Sequence, residues 1–113
     1  MINKTVEIAL LFDFYGNLLT EKQQQIIRLY YYEDLSLGEI AESLEISRQG
    51  VFDHLQRSEK LLKDYEGKLG LSARYRKIRE KLAMLDDFIT ENTDNKRLKG
   101  KLRNRIEQIR KYL

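Results

Sequence analysis

The chain has 113 residues, enough for one compact domain and too few for two ordinary cores. Its 42% hydrophobic and 35% charged content, with a net charge of +3, suits a soluble, helix-rich protein with a thin core. Cysteine and proline are absent and histidine occurs once, which excludes disulfides, thiolate catalysis, sulfur-ligated metals and multi-histidine sites.

Boundary residues predict about six helices. Asn3 can cap a first helix that ends near Gly16, where a missing Cβ suits a left-handed turn. This helix is apolar on most sides between Ile8 and Phe14, so it must be buried on more than one side. Its run Ile8–Phe12 is the longest apolar stretch, far short of the roughly 20 residues that span a bilayer. No cationic segment precedes a long apolar one, so no secretory signal, no membrane and a cytoplasmic location are expected.

Thr20 with Gln23 reads as a capping box opening a helix through about Tyr32. Ser36 with Glu39 is a second box, followed by Leu37, Ile40, Ala41 and Leu44 at helical spacing. Ser47 caps a helix expected to run to about Glu66 and stop at Gly67. Ser72 is expected to open a long helix to about Thr90, Glu91–Asn95 to turn, and Lys96–Tyr112 to form the last helix. No stretch alternates with period two, so the fold class is all-α.

The region 35–62 carries the most specific pattern. On a helical wheel Val51, Leu55, Ser58 and Leu62 form one inward stripe. Ile40, Ala41 and Leu44 supply the facing stripe, and Ile46 closes the corner after a short turn. That is the packing logic of a helix-turn-helix. Leu19-Thr20, Leu35-Ser36, Glu39-Ile40-Ala41, Leu44-Glu45-Ile46-Ser47 and Val51 through Leu55 resemble region four of bacterial sigma factors and the related response-regulator modules. One domain is expected over 1–113, with a helix-turn-helix core over 19–66 and a basic helical hairpin over 72–113.

Opposite the inward stripe lie Gln49, Asp53, Gln56 and Lys60, with Arg48 in the first turn and Arg57 on a flank. Arg48, Gln49, Arg57 and Lys60 are candidates to read base edges or hold phosphates. Against duplex DNA stand Asp53 on that face and the acidic run of Glu33, Asp34, Glu39, Glu42 and Glu45. His54 cannot be oriented by adjacent Asp53, because neighbours on a helix point about 100° apart. No phosphate-cradling glycine motif occurs, so neither an enzyme nor a cofactor is expected.

Charge divides the chain. Residues 1–66 carry seven Lys/Arg against twelve Asp/Glu, and residues 67–113 fourteen against six. Tyr75, Ile78, Leu82, Leu85 and Ile89 repeat at helical spacing, as do Leu98, Leu102, Ile106, Ile109 and Leu113. Two such stripes predict an antiparallel hairpin, folded back on the domain or paired with another copy. Around them stand Arg74, Arg76, Lys77, Arg79 and Lys81, then Lys96, Arg97, Lys99, Lys101, Arg103 and Arg105, candidates to track a phosphate backbone. Double-stranded RNA is read mainly by shape and backbone, so these cations favour RNA over DNA.

The helix with Leu11-Phe12-Asp13-Phe14-Tyr15-Gly16, the Leu18-Leu19-Thr20 cap, Tyr30-Tyr31-Tyr32 and Ser47-Arg48-Gln49-Gly50-Val51-Phe52-Asp53 together resemble the YlxM family of small bacterial helix-turn-helix proteins. The likeness spans about residues 3–89. It implies a regulatory, nucleic-acid-binding role linked to the signal recognition particle pathway, with that particle's components as partners and no catalytic residues to carry over. The expected protein is thus an accessory binder of the particle's RNA, acting as a homodimer. A sequence-specific DNA-binding regulator and a helical interaction module stand beside it as alternatives.

Overall fold

The structure, a computed structural model, describes residues 3–113. Among them every regular element is helical: α1 Lys4–Tyr15, α2 Glu21–Ile27, α3 Leu37–Leu44, α4 Arg48–Leu69, α5 Leu71–Asn92 and α6 Lys96–Arg110. No helix among the described residues is long and apolar enough to cross a membrane. By its internal contacts the chain divides into two compact units, Met1–Ser72 and Ala73–Leu113.

Caps start the helices of the first unit where the sequence places them. Asn3 Oδ1 accepts from the Val6 N–H at 2.9 Å, and Ser47 Oγ from the Gly50 N–H at 2.9 Å. Thr20 with Gln23, and Ser36 with Glu39, close reciprocal capping boxes. Each satisfies amide donors that a helix N-terminus leaves without an intrahelical partner. After α2 the chain does not run on as α-helix to Tyr32. It widens into one π-helical turn, Arg28–Tyr32, in which the Glu33 N–H reaches the Arg28 carbonyl at 3.0 Å. This turn sets Leu29, Tyr30 and Tyr31 against the core, while the Tyr32 hydroxyl donates to the Ala9 carbonyl at 3.4 Å.

The core of the first unit draws on α1 to α4. Ile8, Leu11, Phe12 and Tyr15 of α1 meet Ile26, Ile27, Ile40, Ala41, Val51, Leu55 and Leu62. Ala9, Leu10 and Phe14 are half-buried as well, so α1 is covered on more than one side. Val51, Leu55, Ser58 and Leu62 all point inward, and Ser58 satisfies its hydroxyl on the His54 carbonyl at 2.7 Å. Between α3 and α4 Glu45 takes a left-handed conformation with φ 56°, and Ile46 is half-buried at the corner.

Several boundaries differ from those the sequence suggests: Gly16 after α1 is right-handed, with φ −55°, α5 runs on to Asn92, α6 ends at Arg110, and the junction of α4 with α5 is shifted. Helix α4 does not stop at Gly67 but runs one turn further to Leu69, and Gly70 is the left-handed residue, with φ +63°. Nor does Ser72 open the next helix: α5 begins at Leu71, and Ser72 is buried inside its first turn. A hydrogen-bonded lock spans that junction. The Tyr15 hydroxyl donates to Glu66 Oε1 at 2.6 Å and accepts from the Leu71 N–H at 3.0 Å, and the Ser72 N–H reaches the same Glu66 oxygen at 3.0 Å. Glu66 near the end of α4 and the first turn of α5 thus meet on one buried tyrosine, on either side of the left-handed Gly70.

In the second unit the chain turns at residues 93–95, and Asn95 caps α6 by accepting from the Leu98 N–H at 3.1 Å. Leu82, Ile89 and Ile106 are buried together with Leu102 against them. Of the rest of the predicted stripes Tyr75 is half-buried, while Ile78, Leu85, Leu98, Ile109 and Leu113 are exposed. Two helices alone present too little surface to bury two whole stripes.

Candidate nucleic-acid interface

The first candidate surface lies on α4. Its Ser47 cap leaves Arg48 and Gln49 exposed in the first turn, facing a shallow hollow that Leu37 and Phe52 complete. Gln49 is not idle there, since its Nε2 donates to Asp53 Oδ1 at 3.0 Å. A free amide can bond two edges of adenine; here one donor is held by a carboxylate. Further along, Arg57 and Lys60 are exposed and share a second hollow with Gln56, Lys63 and Lys4, and with the carboxylates of Glu59 and Asp64. Sequence reasoning passed over Lys63, although it follows Lys60 at the helical spacing of three, and over exposed Phe52. Lys63 adds a cation to the second hollow, and Phe52 an exposed ring to the first.

Glu59, on the same helix, is nearly buried and paired to Lys4 Nζ at 2.8 Å. That hydrogen bond raises the Lys4 pKa above its ordinary 10.5. Burial, and then the neighbouring Glu59 carboxylate, raise the Tyr31 pKa as well. These groups tie α1 and the π-helical turn to α4, so that helix is a fixed platform. A third hollow, open and of about 660 Å³, is lined by Phe12, Asp13, Arg28, Tyr32 and Glu33 among others. Its Arg28 guanidinium sits over the Phe12 ring at 5.3 Å. With Asp13 and Glu33 on its wall it has no cationic excess to attract phosphate.

The second candidate surface belongs to Ala73–Leu113. Arg74, Arg76, Lys77, Arg79 and Lys81 are all exposed on the first half of α5, and Arg79 lies over the Tyr75 ring at 5.7 Å. On α6, Lys96, Arg97, Lys101 and Arg105 are exposed and Lys99 is half-buried. Arg103 is engaged within the hairpin: its Nε meets Asp86 Oδ1 at 3.2 Å, and its guanidinium also donates to the Thr90 hydroxyl. Arg103 therefore braces α6 on α5 instead of standing free like its neighbours. Among the described residues no group of three His, Cys, Asp or Glu side chains converges as a metal site would require.

The comparisons with known proteins agree with this architecture. Residues 2–105 match a protein family described as "Putative helix-turn-helix protein, YlxM / p13 like". A UPF0122 protein of Halalkalibacterium halodurans is 45% identical over 98 residues, covering 87% of this chain and 90% of the relative. One from Geobacillus kaustophilus is 48% identical over 90 residues, covering 80% and 82%, and one from Bacillus thuringiensis is 46% identical over 91 residues, covering 80% and 83%. With its α3–α4 corner and a family match over nearly its whole length, the chain belongs to the UPF0122 family of YlxM/p13-like helix-turn-helix proteins.

Proposed function

We propose that this protein is a non-enzymatic accessory of the signal recognition particle pathway that holds the particle's RNA on the cations of α5 and α6. The helix-turn-helix unit then acts mainly as a scaffold and docking surface. The observation that supports the reading is the distribution of charge. Residues 73–113 carry thirteen Lys/Arg against six Asp/Glu, and most of those cations are exposed. Residues 1–72 carry eight against twelve. Phosphate neutralisation drives nucleic-acid affinity, so the basic unit is the better anchor. Cations on rigid helices suit recognition by shape and backbone, as double-stranded RNA demands. The link to the particle rests on the family likeness.

The test is retention of the purified protein by signal recognition particle RNA and by matched duplex DNA across a salt series. Engagement of about six phosphates predicts log affinity falling with log salt at a slope of roughly −4 to −5, with RNA held more tightly than DNA. Equal retention on both, or a flat salt response, overturns the reading. A second reading, sequence-specific DNA binding, draws on the exposed Arg48 at the start of α4. It predicts enrichment of one sequence from random duplexes, with discrimination of at least ~10³.

A further inference from the structure

The unit Met1–Ser72 is acidic overall, yet its cations are not spread evenly. It carries eight Lys/Arg, and five of them, Lys4, Arg48, Arg57, Lys60 and Lys63, line hollows along α4. Those hollows adjoin one another. The one at the start of α4 shares Leu37 and Phe52 with a middle one, which shares Lys4, Gln56 and Glu59 with the next. Arg48, Phe52, Gln56, Lys60 and Lys63 are all exposed and follow one another at spacings of four, four, four and three. They form one seam about 22 Å long. Glu59 and Asp64 are the acids beside it, and Glu59 is already paired to Lys4. Arg48, Arg57, Lys60 and Lys63 are held in no ion pair among the described residues. Between the cations the lining is apolar: Tyr30, Tyr31, Leu37 and Leu55 surround the middle hollow with Phe52, which is 40% exposed. Its volume of about 250 Å³ lies below the roughly 300–1,000 Å³ of small-molecule sites and suits a side chain.

We infer that this groove is the docking site for an acidic amphipathic helix of another protein. An apolar side chain of the partner sits among Tyr30, Leu37 and Phe52, and its carboxylates meet Arg48 at one end and Lys60 and Lys63 at the other. Charge complementarity chooses that occupant. A helix about 10–12 Å across lies along four turns of α4 and needs only Leu37 from α3. A DNA duplex seated on α4 would instead lay its backbone across the preceding helix. There α3 holds Glu39 and Glu42, both exposed, and no cation. Phe52, in the second turn of α4, offers no hydrogen bond to a base edge, whereas it is a ready anchor for an apolar side chain. The inference rests on the proposed function in one respect, that the helix-turn-helix unit is a docking surface. It does not depend on RNA binding by the hairpin.

The test uses the full chain and a labelled synthetic helical peptide of about four turns, with leucines on one face and glutamates flanking them. The control is the same peptide with lysines in place of the glutamates. Fluorescence anisotropy is expected to show saturable binding of the acidic peptide and none of the basic one. Phe52→Gln, and Lys60→Glu with Lys63→Glu, change exposed positions and should each weaken binding about tenfold or more with unchanged helix content. The lysine-reversed chain should in turn gain binding to the basic peptide. Arg76→Glu with Arg79→Glu, on the hairpin, should leave the affinity nearly unchanged, which separates the groove from a general attraction of acids to a basic surface. Absence of saturable binding, or binding lost with the hairpin cations and spared in the groove variants, overturns the inference. So does capture of duplex DNA that displaces the peptide and is lost in Phe52→Gln, which assigns the groove to nucleic acid. Signal recognition particle RNA retained by a chain that ignores the peptide sinks this inference alone and leaves the hairpin's RNA reading intact.

Discussion

Tyr15 does at one point what several residues do elsewhere in the first unit. The residue is 1% exposed, and its hydroxyl gives a hydrogen bond to Glu66 while taking one from the Leu71 N–H. Tyr15→Phe keeps the packing and leaves that amide without an acceptor, at an expected cost of about 1–2 kcal/mol by denaturant unfolding. Alkaline pH probes the same residues. Burial first, and then Glu66, raise the Tyr15 pKa above 10.0; burial first raises Tyr31 and Tyr32, and Glu59 raises Lys4 above 10.5. A raised folded pKa means the native state holds its proton more firmly than the unfolded chain. The stability from these groups is therefore complete below about pH 10 and is lost as pH rises through the folded values. Unfolding midpoints should fall on the alkaline side, and less steeply in Tyr31→Phe. A midpoint flat to about pH 12 contradicts this assignment.

At the scale of the element, the two glycines near the end of α4 separate what the sequence tells from what it conceals. Gly67 and Gly70 both punctuate the same polar stretch, and by composition either could end the helix. Local chemistry could not decide, because the deciding contact is Tyr15 with Glu66 and Leu71, at sequence separations above fifty. The structure makes the two positions opposite in sign. Gly67 is helical with open space around it, so Gly67→Ala should stabilise by up to about 1 kcal/mol. Gly70 has φ +63°, so Gly70→Ala should destabilise by about 1 kcal/mol. Thermal unfolding of both variants checks the pair, and equal signs would refute the boundary. The caps at Asn3, Thr20, Ser36 and Ser47 were legible for the converse reason: each acts within three residues. The π-helical turn at Arg28–Tyr32 was not, because a run of tyrosines reads the same in either helix.

For the whole molecule, the split into an acidic helix-turn-helix unit and a basic hairpin is visible in the charges alone, and the inward stripe of α4 in the spacing alone. Which cations stand free is not visible there. Arg103 looks like Arg105 in sequence and both are exposed, yet Arg103 is tied to Asp86 and Thr90. That difference yields a test of where nucleic acid is held. Reversing Arg74, Arg76, Lys77 and Arg79 together removes the cations that would neutralise phosphate if α5 is the anchor, and should abolish RNA retention. The salt slope of any residual binding should shrink by about one for each phosphate no longer neutralised. Arg48→Ala with Arg57→Ala, on the acidic unit, should leave RNA retention nearly unchanged. Arg103→Ala is the control of a different kind: it breaks a brace, so it should lower hairpin stability more than it lowers RNA affinity. The opposite pattern, with retention abolished through Arg48 and Arg57 and spared in the α5 variant, would move the anchor to the helix-turn-helix. The protein would then read nucleic acid with α4, and the cations of α5 and α6 would serve only to keep the hairpin in solution.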